Sequence, residues 1–254
     1  MNVRSTLVLV AGATGSIGRL VVAAARRHGL RVTALVRDPR RAEQVLPDVD
    51  LARGDLEDPG SLTDALQDVD AVVFTHGGNG SPDQARRIDY GGVASVLHAL
   101  GGRSPRIALM TSIGVSRRGR GSVGELLDWK RRSERLVRAS GAPYTIVRPG
   151  WFDQVGRGDD RLVLEQGDTG NGGIGREQLA EVLVRALLTD TAVGRTFELV
   201  AEPGRAPTDW DGLFAGVRRD DSGALDAVAD PVTLPAVADE PAPVAADIAR
   251  LTAR

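Results

Sequence analysis

The sequence predicts an α/β chain, a doubly wound parallel sheet followed by a smaller C-terminal lobe. Three observations carry this prediction. Over residues 1–150, short apolar runs alternate regularly with runs of helical periodicity. The strand-like runs are apolar on both faces, as in a parallel sheet covered by helices. A glycine-rich string, Gly12-Ala13-Thr14-Gly15-Ser16-Ile17-Gly18, lies between the first strand and the first helix.

Residues 6–11 form a continuous apolar run, and 17–28 have helical periodicity that stops at Gly29. Residues 31–36 read as a β-branched strand, 39–46 as a short helix closed by Pro47, and 50–53 as a short strand. Residues 61–67 read as a helix with Ser61 as its N-cap. A strand at 71–75, a long helix at 82–100 and a strand at 107–111 follow. The next helix, 124–139, stops at Ser140-Gly141 before a strand at 144–147. After Pro149-Gly150 the rhythm changes, with strands at 161–165 and 196–200 around an amphipathic helix at 176–188. The glycines of 167–175 predict a mobile loop. The acidic stretch 220–247, rich in Ala, Asp, Pro and Val, reads as a poorly ordered or loosely packed extension.

Composition narrows the function. The 254 residues are 42% hydrophobic and 26% charged, which excludes repetitive and disulfide-stapled classes. The absence of Cys excludes thiolate catalysis and Cys-ligated zinc or iron–sulfur clusters. A formal net charge of −2 argues against binding nucleic acid by bulk charge. The apolar runs are far shorter than the roughly 18 residues needed to span a bilayer. The chain enters a strand directly at Leu7-Val8-Leu9-Val10, without a leader-like segment. The expectation is a cytoplasmic monomer or homodimer acting on a small molecule, with no metal, membrane or nucleic acid. Among 32 Lys and Arg residues the only lysine is Lys130. Where arginine otherwise serves everywhere, a surviving lysine marks a place where a compact ammonium is the working part.

The glycine string has a physical reading. Gly12 permits the tight turn, Gly15 lets backbone approach a pyrophosphate, and Gly18 allows close helix–strand packing. Thr14, Ser16 and the Ile17 amide then lie at the helix N-terminus facing the phosphates. The second strand ends in Val36-Arg37-Asp38-Pro39. An arginine there receives a 2′-phosphate, so Arg37 predicts NADP(H) in preference to NAD(H). Asp38, one step on, is placed to cap the next helix. Asp55, in Gly54-Asp55-Leu56, can accept from an adenine amino group. Thr75-His76-Gly77-Gly78 brings glycines where backbone would pass the cofactor ribose. His76 there is a candidate contact to cofactor or substrate, with a structural role as the alternative. His28 and His98 lie on helices and read as structural.

These stretches, with Met110-Thr111-Ser112, Lys130 to Glu134 and Tyr144-Thr145-Ile146-Val147-Arg148-Pro149-Gly150, resemble the atypical short-chain dehydrogenase/reductases, in particular the NmrA-like NAD(P)H-binding group. The resemblance covers residues 5–200. It implies a Rossmann domain over 1–150 and a substrate-binding lobe with acidic tail over 151–254, intertwined as one unit. It also implies a catalytic Ser at Ser112 and a catalytic Lys at Lys130, the Lys holding the nicotinamide ribose. The matching tyrosine position, four residues before Lys130, holds Leu126. Leucine cannot donate a proton. The proton would then come from Ser112, His76 or water, or the acceptor would need little acid help, or the protein would bind NAD(P)H without turnover.

The resemblance places Pro149 and Gly150 beside the nicotinamide carboxamide. Trp151-Phe152 then read as walls of an apolar substrate pocket, or equally as core. Arg117-Arg118-Gly119-Arg120-Gly121 reads as a solvated loop, with an anion-meeting lid as the alternative. Arg131, Arg132, Glu134, Arg135 and Arg138 read as an exposed helix face, in which Glu134–Arg138 is a favourable pair. The function expected is reduction of a small apolar or aromatic carbonyl, quinone or enone by NADPH. A non-catalytic NAD(P)H-sensing protein is the alternative.

Overall fold

A computed structural model of the protein describes residues 6–78, 80–117 and 121–253. Among the described residues ten strands are formed: β1 (Leu7–Ala11), β2 (Arg31–Val36), β3 (Asp50–Arg53), β4 (Ala71–Phe74), β5 (Arg106–Met110), β6 (Tyr144–Pro149), β7 (Trp151–Phe152), β8 (Arg161–Glu165), β9 (Gly173–Ile174) and β10 (Arg195–Glu202). The helices are α1 (Ser16–Arg27), α2 (Pro39–Glu43), α3 (Pro82–Gln84), α4 (Gly91–Ala99), α5 (Gly121–Ala139), α6 (Arg176–Leu188), α7 (Trp210–Ala215) and α8 (Ala242–Thr252).

The main sheet has the order β3-β2-β1-β4-β5-β6-β10-β8. All neighbours pair in parallel except the edge strand β8, which runs antiparallel to β10. β7 and β9 form a separate parallel pair. Strand period 2 sends alternate residues of β1 to opposite sides. Val8 and Val10 join a core with α1 and α6, while Leu9 and Ala11 join one with α4, α5 and α8. Helices on both faces, as in the Rossmann arrangement, follow from that pattern. Residues 195–202 enter this sheet beside β6, so the C-terminal part of the chain completes it.

Three local expectations are corrected. Residues 61–67 form two 3₁₀ turns, Pro59–Leu62 and Asp64–Leu66, in place of a helix. Asp58 is the cap, accepting from the Gly60 amide at 3.2 Å. Ser61 Oγ instead donates to the Asp58 carbonyl at 2.7 Å and accepts from the Asp55 amide at 2.8 Å. The long helix expected at 82–100 is interrupted by a π turn, Ala85–Tyr90. An inserted residue of this kind turns neighbouring side chains apart.

The third correction is larger. The arginines of α5 are not a solvated face: Arg131, Glu134, Arg135 and Arg138 are buried and Arg132 is half-buried. The acidic stretch 220–247 is the reason, because it returns across α5 and supplies carboxylates. Glu240 sits 2.7 Å from Arg131, 2.6 Å from Arg132 and 2.8 Å from Arg135. Asp226 takes Arg135 at 2.7 and 2.6 Å. Burial alone would raise the Glu240 pKa, but the guanidiniums of Arg132 and Arg131 hold it below the usual range. Buried charges persist only when paired, and here the pairing fixes the tail.

Candidate active site

The glycine string closes the C-terminal end of β1. Gly12 has φ +86°, and a Cβ there would lie 2.6 Å from the His76 amide nitrogen. Gly18 lies so close that its Cβ would be 2.1 Å from the Gly12 carbonyl oxygen. Helix α1 is therefore pressed directly onto the loop, and the Gly15 amide donates to the Gly12 carbonyl at 2.9 Å. Thr14, Gly15 and Ser16 are exposed, while Ile17 anchors the turn in the core. No side chain caps this N-terminus and no acidic residue lies in its first turn. Such an end, over the middle of a parallel sheet, fits a pyrophosphate.

Arg37 follows β2 and is exposed beside this loop's strand, since β1 and β2 pair as Ala11 with Leu35. Asp38 caps α2, accepting from the Arg41 amide at 3.3 Å. Asp55 lies after β3 and accepts from the Glu57 amide at 3.0 Å. Leu56 packs toward α4, within 3.2 Å of where a Gly92 Cβ would stand.

The loop after β4 draws the next residues together. Thr75 Oγ1 donates to the Ala11 carbonyl at 3.0 Å, which locks this loop to the glycine string. The Lys130 ammonium donates to Asp89, a buried carboxylate in the π turn. Asp89 also accepts from the Gly78 amide at 2.8 Å. A Cβ on Gly77 would stand 3.9 Å from the Lys130 ammonium. His76 is turned inward. Its ring makes an edge contact with Phe74 and lies against Gly92, its nitrogens shut off from solvent. Burial, partly offset by Asp89 and reinforced by Lys130, lowers its pKa to about 4. At neutral pH it is uncharged, with no proton to give readily.

A second group forms where β5 and β6 end. The Thr111 and Ile113 amides donate to the Val147 and Pro149 carbonyls at 2.9 and 3.1 Å, so half-buried Ser112 stands beside Pro149. Gly150 continues the shelf, its amide bonded to the Leu199 carbonyl at 2.9 Å. Trp151 and Phe152 are not core: they are 59% and 37% exposed, and Arg176 stacks 5.2 Å from the Phe152 ring. Leu126 is half-buried on α5, four residues before Lys130. Neither tyrosine takes its place. Tyr90 donates to Asp247 at 2.7 Å and Tyr144 to Asp220 at 3.0 Å, and burial pushes both hydroxyl pKa values upward. Arg118, Gly119 and Arg120 of the basic loop lie outside the described residues.

The sequence matches the model of an NAD(P)H-binding family over residues 12–190. The chain belongs to this NAD(P)H-binding family. A chloroplastic protein of Arabidopsis thaliana, itself uncharacterised, is 30% identical over 236 residues, covering 85% of this chain and 84% of that one. Sanguinarine reductase of Eschscholzia californica is 25% identical over 263 residues, covering 83% of this chain and 95% of that one. Among solved structures, a Rossmann-fold NAD(P)-binding family protein from Shigella flexneri superimposes with a TM-score of 0.62 at 23% identity, covering 81% and 98% of the two chains.

Within this NAD(P)H-binding fold, sequence reasoning missed Asp89, the partner of its lone lysine. The available signal was an acid flanked by Ile88 and Tyr90. Among the described residues no cluster of three or more His, Asp or Glu is placed to hold a metal ion. Nor is any described helix long and apolar enough to cross a membrane.

Proposed function

We propose that the protein is an NADP(H)-dependent oxidoreductase that reduces a small apolar or aromatic carbonyl, quinone or enone without an active-site tyrosine. The observation that carries this reading is the uncapped α1 N-terminus between Gly12 and Gly18, with Lys130 of α5 held by Asp89 and Ser112 just beyond the end of β5. When bound, NAD(P)H supplies a hydride, two electrons and a proton's mass in one transfer. The chain's residues divide the remaining work. The amides at the start of α1, with Thr14 and Ser16, receive the pyrophosphate. Arg37 meets the 2′-phosphate, and Asp55 and Leu56 flank the adenine. Lys130, steadied by Asp89 and standing near Gly77, would hold the nicotinamide ribose, with Thr75 in the same loop. Pro149 and Gly150 face the carboxamide.

Ser112 polarises the acceptor oxygen, and Trp151 and Phe152 offer it an aromatic wall. Leu126 donates no proton and His76 is neutral and enclosed, so the proton that completes reduction enters from water. That chemistry favours quinones and enones, in which hydride addition is not tied to a strong acid at the same oxygen. The test is NADPH oxidation against a panel of quinones, enones and simple ketones, with wild type and Leu126→Tyr in parallel. The proposal expects turnover of quinones or enones by wild type and added ketone reduction in the variant. Absence of acceptor-dependent oxidation despite NADPH binding would favour the other reading, a non-catalytic NAD(P)H-sensing protein. Leucine at the acid's position is the observation behind that second reading.

A further inference from the structure

The glycine-rich stretch 167–175, expected to be mobile, is tied on both of its sides. Asp168 is 3% exposed with a left-handed φ of +54°. Its Oδ1 accepts from the Gly114 amide at 2.5 Å. Its Oδ2 accepts from the Ser116 amide at 2.8 Å and from Ser116 Oγ at 3.0 Å. Arg117 answers from the same loop, donating to the Asp168 carbonyl at 2.5 Å and the Gly170 carbonyl at 2.7 Å. On the other side, the Trp151 amide donates to the Gly172 carbonyl at 2.9 Å. Gly150 approaches so closely that a Cβ would lie 2.3 Å from that same oxygen. One segment thus grips both the turn that follows Ser112 and the Pro149-Gly150 shelf.

We propose that Asp168 is a positioning residue: by clamping the turn after Ser112 to the segment that carries Gly172, it fixes the Ser112 hydroxyl relative to the Pro149-Gly150 shelf. The physical reason is that the Gly114 and Ser116 amides are buried and Asp168 is the partner the structure gives them. A turn with two buried amides left unpaired rearranges to find water or another acceptor. Ser112, two residues before Gly114, moves with it. Asp168 is itself buried, its carboxylate taken up by these bonds, and it acts through Ser112. The proposal rests on the reading of Ser112 given above.

The experiment compares wild type, Asp168→Asn, Ser112→Ala and the double variant, measuring kcat for the best acceptor and Kd for NADPH. Asp168→Asn keeps the shape but loses one acceptor oxygen. It should lower kcat roughly ten- to hundredfold while leaving the NADPH Kd unchanged, the scale expected of small misplacements. In the Ser112→Ala background the same substitution should lower kcat little further, because the group it positions is gone. An equal loss in both backgrounds, or a matching loss of NADPH affinity, would overturn the proposal. Should Asp168→Asn fail to fold, Ser116→Ala removes one of the three bonds and should show a smaller loss of the same pattern. If Ser112→Ala turns over like wild type, the Ser112 reading fails on its own. Amide exchange then judges the clamp: faster exchange at Gly114 and Ser116 in Asp168→Asn supports it, and unchanged exchange refutes it.

Discussion

The middle of the main sheet and its β6–β10 side are held by different forces. Around β1 and β4 the buried side chains are apolar on both faces, and the groups presented to a ligand are backbone amides shaped by Gly12 and Gly18. Around β6 and β10 the interior adds a buried ionic network to apolar side chains such as Ile146, Val147 and Phe197. Arg148 is fully buried, bonded to Glu134 at 3.0 and 2.8 Å and to Asp230 at 2.7 and 2.8 Å. Arg138 joins Glu134, Thr196 and Asp220 close by. The contrast assigns a division of labour. The glycine string keeps its shape mainly by steric contact, with one ion pair, Lys130–Asp89, beside it. The β6–β10 side relies on charge pairing, and depends on a returning tail and on protonation.

The sharpest way to break this contrast is to remove the carboxylate at the centre of the ionic network. Glu134→Ala leaves Arg148 and Arg138 short of a partner and frees Thr111 Oγ1, which donates to Glu134 at 2.8 Å. Stability measured by urea unfolding should fall by about 3–5 kcal/mol, as for other broken buried pairs. A loss below about 1 kcal/mol, the range of exposed pairs, would show the network to be solvated.

Glu198 sharpens the same point through pH. Burial, with Asp168 and Asp230 adding to it and Arg148 opposing, raises its pKa to about 7 from 4.5. The raised value means the folded state keeps a proton that the unfolded state has released. Its contribution to stability is therefore fully present below about pH 4.5, declines between 4.5 and 7, and is lost above. Glu198→Gln should be the more stable protein above pH 7, by on the order of 3 kcal/mol, with the difference vanishing toward pH 4. Parallel thermal melts across that range check it. A constant offset would mean that Glu198 does not titrate there.

On the cofactor side the expected effect is smaller and specific. Arg37→Ala should weaken NADPH binding by about 1.5–3 kcal/mol, one charge-assisted contact, and leave NADH nearly unaltered. Equal losses for both would remove the 2′-phosphate from the account.

The same contrast explains what the sequence made legible. Strands 31–36 and 50–53 and helix 176–188 were readable to the residue because periodicity and caps are local signals. The glycine string was readable because its demands fall within seven neighbouring residues. The α5 arginines were not readable, since charge at helical spacing ordinarily marks a solvated face. Their partners lie far along the chain, 105 residues from Arg135 to Glu240 and 82 from Arg148 to Asp230. Asp89 was hidden for a related reason: a π turn, invisible in the pattern of residues 82–100, is what brings it to Lys130.

The central claim is that the uncapped α1 end and Arg37 bind a phosphorylated nicotinamide cofactor. It is tested most directly by titrating the protein with NADPH, NADH and NADP⁺ in parallel, following tryptophan emission and energy transfer from exposed Trp151. The account predicts saturable binding of NADPH and NADP⁺, with NADH distinctly weaker. Binding of none of the three, or of NADH as tightly as NADPH, would contradict it.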